Sequence, residues 1–483
     1  PGVTRRPNHV RFLTSNRVLT AFSGHNSSTE ADESEEGHKP VVEADRMRVS
    51  VIGTGYLGAT TAACLAEMGF EVLGLDVDQA KIEILRSGRV PFYEPGLDEL
   101  LTANLATGRL RFTTSYAEAA EFADLHLICV GTPQRDDSGA ADLRYVNAAV
   151  DQLAPYLTRP TVVVGRSTVP VGTAATLAAR LSALAPAGEG AELGWSPEFL
   201  REGFGVEDTL RPNRIVIGTD SPRVEKAVRT LWQQQIDEGI PFLVTDMQTA
   251  ELVKVAANAF LATKISFINA MAEVSEVAGA DVIQLAEALS YDDRIGGKFL
   301  GPGLGFGGGC LPKDIRAFMA RADELGVEPA LSFLREVDAI NQRRRARTID
   351  IARQLIGGSF AGRTVTVLGA AFKPNSDDIR DSPALDVAST IASLGAKVTV
   401  YDPAALERAR EEHPQLNYAN SMLEAARGAD VVLLLTEWAE FREANPDKLA
   451  EVVARRRIVD GRNALDPTYW RASGWTYRAL GRQ

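Results

Sequence analysis

Apolar residues fall in short runs from residue 48 onward, and each run is followed by a stretch with helical spacing. RVSVIG (48–53), FEVLGLD (70–76), LHLICVG (125–131), TVVVGR (161–166) and IVIG (215–218) are short and almost uniformly apolar, which predicts buried strands. PFLVTD (241–246) closes this set. The pattern changes at 247. Residues 247–295 are nearly all helix formers, and a second helical stretch runs from Glu328 to Ile356, long enough to predict a connecting helix at a domain or subunit seam. Strand runs then restart with TVTVLG (364–369), KVTVYD (397–402), VVLLLT (431–436) and RRIVDG (456–461). The restart echoes the first half: VSVIGTGYLG matches VTVLGAAFKP, and EVLGLDVD matches KVTVYDPA.

Strands alternating with helices predict mostly parallel sheets covered on both faces. The expected fold is α/β, with two Rossmann-like doubly wound domains joined by a central helical domain. The expected boundaries are 47–246, 247–357 and 358–483. Residues 1–46 are polar and lack periodicity, with arginines first and an acid-rich run at 30–36, so a disordered extension is expected. A targeting segment, or a true start at Met47, would also account for them.

The first turn carries GTGYLG (53–58). Gly53 permits the tight turn, Gly55 lets a pyrophosphate approach, and Gly58 lets the helix pack on the sheet. Tyr56 and Leu57 open that helix, whose free N–H groups suit phosphate. Asp76 ends the next strand 18 residues after Gly58 and can accept from both ribose hydroxyls. A carboxylate there repels a 2′-phosphate, so NAD is expected rather than NADP. CVGTP (129–133) and RSTVP (166–170) close later strands and add Gly131, Thr132 and Thr168 as expected cofactor contacts. The second copy lacks the glycines, so it is expected to take a different ligand or none. Chemistry is expected in the crevice between the halves.

Composition narrows the class. The chain has 483 residues, a net charge of −12 and three cysteines. The charge argues against nonspecific nucleic-acid binding, and RRRAR (343–347) reads as a solvated helix face. No apolar run approaches a membrane span. The cysteines form neither a metal cluster nor a disulfide framework. Cys64 and Cys129 fall in a helix and a strand and are expected to be buried and inert.

Cys310 differs, because it follows glycines in GFGGGCLPKD (305–314). Oxidising an alcohol needs a base for its proton and a group to meet the developing oxyanion. Oxidising an aldehyde further needs a nucleophile, and a cysteine supplies one: a thiohemiacetal forms, becomes a thioester and is hydrolysed. Gly307, Gly308 and Gly309 are expected to leave room for a ligand, and a helix starting at Cys310 is expected to favour its thiolate. Asp314, four residues on, would face the same way. Lys254 and Asn258 share a helix face among apolar residues and suit oxyanion and water positioning. Glu198 in SPEFLREG (196–203) is a candidate for activating the hydrolytic water, and Glu202 competes with it.

Taken in order, GTGYLG, YEPGL, VGTP, STVPVGT, PEFLREG, ELVKVAANAFLATKISFIN, RIGGKFL, PGLGFGGGCLPKD, FKPNSDDIRDSPAL and DGRN resemble the UDP-glucose 6-dehydrogenase family. The resemblance covers about residues 47–483. It implies a four-electron, NAD-dependent oxidation of UDP-glucose to UDP-glucuronate. It puts the family's nucleophile on Cys310, its lysine and asparagine on Lys254 and Asn258, and its proton-handling aspartate on Asp314. It puts the hydrolysis glutamate on Glu198 and the water-holding threonine on Thr168. Substrate contacts fall on Phe199, Leu200, Phe306, Gly307, Lys373 and Arg462, and Arg294 matches an arginine that reaches the neighbouring subunit's ligand. A homodimer or higher even oligomer in the cytoplasm is implied, with no metal. The chain departs from the pattern at Gly309, where serine is usual, at Arg166, where lysine is common, and at Gly301, where a lysine is expected. Alternatives are a related enzyme acting on UDP-N-acetylmannosamine or GDP-mannose, and a catalytically inactive NAD-binding regulator.

Overall fold

The computed structural model describes residues 47–482, so the expected extension over 1–46 lies outside the described residues. The first sheet contains β1 (Arg48–Ile52), β2 (Glu71–Leu75), β3 (Leu110–Thr113), β4 (Leu125–Ile128), β5 (Thr161–Gly165), β6 (Ala191–Trp195), β7 (Ile215–Gly218) and β8 (Phe242–Thr245). Their order is β3-β2-β1-β4-β5-β6-β7-β8. Every pairing is parallel except β6 with β7, where Trp195 lies opposite Gly218. β1 sits between β2 and β4, with Val49 opposite both Val72 and Leu125. Helices cover both faces, so the central strands are buried throughout, as their apolar runs predict.

The second sheet contains β9 (Thr364–Leu368), β10 (Lys397–Tyr401), β11 (Asn417–Tyr418), β12 (Val431–Leu434), β13 (Arg457–Asp460) and β14 (Thr476–Ala479). It is wholly parallel, in the order β11-β10-β9-β12-β13-β14. The predicted strands all form. The pattern does not reveal β3, β6, β11 and β14: LRFT and AELGW interrupt their apolar residues with Arg111 and Glu192, β11 has two residues, and β14 is an edge strand.

The second domain closes the place where a dinucleotide would sit. Asp402 follows β10 as Asp76 follows β2, but it is fully buried. Its carboxylate accepts from the N–H groups of Ala370, Ala371, Ala404 and Ala405 and from Trp438 Nε1. That acid is fully used by its own fold.

Between the sheets lies the helix Met247–Ala278. Asp246 caps it by accepting from Thr249 N at 2.7 Å, and Gly279 ends it in the left-handed conformation at φ 75°. Among the described residues it is the one helix long and apolar enough to cross a membrane by length and composition. Here it packs against the helices Leu311–Glu324 and Phe333–Leu355 and buries Glu251, Lys254, Asn258 and Asn269.

RRRAR is only partly a solvated face: Arg343 is exposed, but the next two arginines are buried. Arg344 is fully buried, 3.5 Å from Glu276 and 3.8 Å from Glu273. Arg345 is buried too and reaches Asp381 at 2.8 Å, while Arg347 meets Glu276 at 2.7 Å. These arginines tie Phe333–Leu355 to the long helix on one side and to the loop after β9 on the other. The sequence shows a charge run but not the acids, 36 to 71 residues away, that the fold brings to it.

Candidate active site

The glycine turn after β1 is built as its spacing implies. Gly53 adopts φ 88°, and a Cβ on Gly58 would stand 1.7 Å from Gly53 O, so only glycine allows the helix Tyr56–Glu67 this close to the strand. Gly55 caps that helix, and the space where its Cβ would point is open. Tyr56 and Leu57 contribute first-turn N–H groups, but the Tyr56 hydroxyl is turned away to Glu94 and Gly203 N. Gly131 also faces open space, and Thr132 Oγ1 donates to Thr168 O at 2.6 Å.

Asp76 accepts from Thr54 N at 2.8 Å, from Asp78 N at 3.1 Å and from Lys81 Nζ at 2.9 Å. Burial works against its charge, but the bonds from Lys81, Thr54 and Asp78 outweigh burial and hold it below the usual carboxylate range. The open helix N-terminus and the ionised acid fit a dinucleotide. Lys81 is not evident from motif spacing. It lies in the first turn of the helix Gln79–Arg86, which begins just after Asp76, and a ribose must share Asp76 with it.

Cys310 is the N-cap of Leu311–Glu324, with Pro312 in the first turn, as expected. Asp314 N donates to Cys310 O at 2.9 Å. The buried Asp314 carboxylate accepts from Asn258 Nδ2 and from Lys313 Nζ, both at 2.6 Å. On the same helix face as Asn258, Lys254 is buried and lies 2.9 Å from Glu198. Glu198 also accepts from Leu200 N at 2.7 Å. Burial disfavours the Lys254 ammonium, but Glu198, Cys310 and Asp314 around it raise its pKa on balance. Glu198, Lys254, Asn258, Cys310 and Asp314 are thus one electrostatic cluster, drawn from the first domain and the helical domain.

Two expectations about the glycine loop need correction. The missing side chains of Gly307, Gly308 and Gly309 do not leave room for a ligand. A Cβ at Gly307 would meet Asp381 O at 2.2 Å, one at Gly308 the Phe372 ring at 2.7 Å, and one at Gly309 the Arg380 guanidinium at 2.2 Å. The second domain's FKPNSDDIRD loop fills those places, and Gly308 N donates to Arg380 O. Nor is the thiolate favoured in the free protein. Cys310 has an exposed face, yet the protein crowds it, and burial with Glu202 and Asp314 nearby pushes the thiol up to about 12 despite Lys254. Burial, together with Glu202, Asp314 and Glu198, outweighs the helix end.

The competing acids part company. Glu198 pairs with Lys254, whereas Glu202 faces Arg380 at 3.2 Å. Burial and the neighbouring Asp378 push Glu202 up to about 7. Arg380 and Asp378 are further residues of this site that motif reading does not single out. The signal is the dense charge of DDIRD.

Lys373 feels the charges of Glu202 and Cys310, and burial lowers its pKa. Phe199 lies with its ring 3.7 Å from the Arg214 guanidinium. It shares with Leu200, Glu198 and Arg166 one cleft. Thr168, Lys313 and Asp314 share another. Buried Phe306 is held at both backbone atoms by Asn341, at 2.8 and 2.9 Å. Arg462 donates to Leu435 O, Gly305 O and Phe372 O, so it anchors the glycine loop. Arg294 is not brought to this cluster. Its side chain is 88% exposed and paired with Asp292. Cys64 and Cys129 are buried. Among the described residues, no His, Cys, Asp and Glu cluster suits a metal.

Three family models match in succession: "UDP-glucose/GDP-mannose dehydrogenase family, NAD binding domain" over residues 47–236, "central domain" over 248–343 and "UDP binding domain" over 366–467. The chain belongs to the UDP-glucose/GDP-mannose dehydrogenase family. A UDP-glucose 6-dehydrogenase of Bacillus subtilis is 40% identical over 438 residues, covering 90% of this chain and 98% of the relative. One from Rhizobium meliloti is 40% identical over 441 residues, covering 90% and 100%. The solved structure of a UDP-glucose dehydrogenase from Pyrobaculum islandicum matches with a TM-score of 0.84 at 36% identity, covering 92% of this chain and 100% of that one. A UDP-D-ManNAc dehydrogenase from Pyrococcus horikoshii matches at 0.79 with 28% identity, covering 90% and 99%. The family domains support NAD as the cofactor and account for the two Rossmann-like sheets around a helical centre.

Proposed function

We propose that this protein oxidises UDP-glucose to UDP-glucuronate with NAD, through a thiohemiacetal and a thioester on Cys310. The observation that carries this reading is the meeting of Cys310 with the Lys254–Glu198 and Asn258–Asp314 pairs. NAD, when bound, takes one hydride from the sugar C6 in each of two oxidations. Gly53, Gly55, Tyr56, Leu57, Gly58, Asp76, Gly131, Thr132 and Thr168 would hold it.

Each residue has a job its surroundings suit. Lys254 stays cationic at neutral pH because the carboxylates of Glu198 and Asp314 lie beside it, so it meets the C6 oxyanion rather than acting as base. Asn258 fixes Asp314, which with a water shared by Thr168 takes the hydroxyl proton. Cys310 adds its sulfur to the aldehyde carbon as the C=O π bond opens, and its proton ends on the former carbonyl oxygen as the thiohemiacetal hydroxyl. Glu198 draws a proton from the water that cleaves the thioester. Phe199, Leu200, Phe306, Gly307, Lys373 and Arg462 line the substrate's path.

Arg294 suits the neighbouring subunit's site, since its own chain leaves it exposed. The long helix presents Phe260, Phe267 and Val274 on its surface at seven-residue spacing, 49 to 66% exposed, which supports a dimer through that helix. A monomer in sedimentation would refute this. The cytoplasm is the proposed location, because a reducing compartment keeps Cys310 a thiol.

The test is stoichiometry. Purified protein with UDP-glucose and NAD should give two NADH per UDP-glucuronate, and more slowly or not at all with UDP-N-acetylmannosamine or GDP-mannose. One NADH per sugar, or NAD binding without turnover, would reject the reading.

A further inference from the structure

Arg166 follows β5 and is 8% exposed although it is a cation. Its Nε has no hydrogen-bond partner, and its guanidinium lies 5.6 Å from the Trp232 ring centroid. Trp232 Nε1 is buried and unpartnered as well. A buried donor left unsatisfied loses its hydration with no bond in return, and the loss is larger when it is charged. Two such donors together therefore call for an acceptor that this chain does not supply. Both residues line one cleft, along with Ser196, Glu198, Asn213 and Arg214. The space open to water centres in it is about 30 Å3, enough for about two waters. Asp208 and Glu198 balance Arg166 and Arg214 in the lining, so the cleft carries no net positive charge to hold an anion and suits water. Glu198 is the shared wall: it lines this cleft and also contacts Lys254, whose charge is coupled to Cys310.

Building on the thioester reading above, we propose that this cleft holds and delivers the water that hydrolyses the thioester. Arg166 is a positioning residue that orders this water, with Trp232 Nε1 as second donor. The cleft borders Glu198, Phe199 and Leu200, so water held at Arg166 and Trp232 lies directly beside the substrate's path. In the step, the water oxygen bonds to the thioester carbonyl carbon and gives one proton to Glu198. The C–S bond then breaks, and the sulfur leaves as thiolate and takes the acid's remaining proton. The carboxylate and the restored thiol result, and Glu198 returns its proton to the water in the cleft. No electrons change hands.

The test separates oxidation from hydrolysis. Arg166→Met, Arg166→Lys and Trp232→Phe are mixed rapidly with UDP-glucose and NAD, and NADH release and intact protein mass are followed. For Arg166→Met the expected result is a burst of two NADH per site at close to the wild-type rate. Steady-state turnover should be about tenfold or more slower, with protein carrying the acyl group on Cys310 accumulating. Arg166→Lys should recover most of the turnover, because it restores a donor. If Arg166→Met does not fold, Trp232→Phe is read in the same way, with a smaller slowing expected. Unchanged turnover, or a burst that slows as much as turnover does with no acyl-enzyme, would overturn the proposal. Wild-type protein forming no UDP-glucuronate would instead sink the functional reading on which it builds.

Discussion

The thiol of Cys310 should be unusually slow to alkylate in the unliganded protein. Its pKa is pushed up to about 12 by burial and by the charges of Glu202 and Asp314. A free thiol near 8.5 is about 9% ionised at pH 7.5, whereas one near 12 is about 0.003% ionised, a deficit of about 3,000-fold. A more basic thiolate is also a better nucleophile; with a Brønsted slope of about 0.45 this returns about 40-fold, leaving iodoacetamide about 70-fold slower than on a free thiol. The pH dependence is the sharper signature. From pH 7.5 to 10.5 the rate should climb about 1,000-fold without levelling, against about 11-fold with a plateau for a free thiol. The assay is peptide-resolved mass spectrometry of carbamidomethylated Cys310 across that range. Cys64 and Cys129 are buried and serve as internal controls. Glu202→Gln removes the largest of the raising charges and should speed labelling at pH 7.5. Labelling of wild-type Cys310 that levels off below pH 9 would refute the electrostatic account, because the thiolate would then be favoured as the helix N-terminus alone suggests.

Asp76→Ala should raise the KM for NAD by about 10- to 100-fold, the worth of hydrogen bonds to a charged acceptor, while the KM for UDP-glucose stays within about threefold; initial-rate kinetics at saturating co-substrate check this. Gly307→Ala should cost about 1–3 kcal/mol, because its Cβ would meet the rigid Asp381 O and Pro383 at 2.2 and 2.7 Å. It should lower the denaturant midpoint and displace Cys310, whereas Gly301→Ala, which points into open space, should leave both unchanged.

The order of motifs and the alternation of apolar runs determined the architecture, because buried parallel strands tolerate few polar residues and glycine turns need their glycines. β3, β6, β11 and β14 lie where that signal weakens, through an interrupting charge, extreme shortness or an edge position. The individual candidates for chemistry were legible for a similar reason: a lysine and an asparagine on an apolar helix face, and a cysteine after glycines, stand out locally. Their partnerships were not. Glu198 pairs with Lys254 and Glu202 with Arg380, although both acids lie on one short loop, because each meets a different domain. Arg344 and Arg345, in a run that reads as solvated, are buried by acids remote in the chain. The glycines before Cys310 were legible as glycines, but only the packed structure decided that Asp381, Phe372 and Arg380 occupy the space beside them. Backbone pattern is a local property and is written along the chain. Charge state and contact depend on which surfaces meet, and only the tertiary fold fixes those.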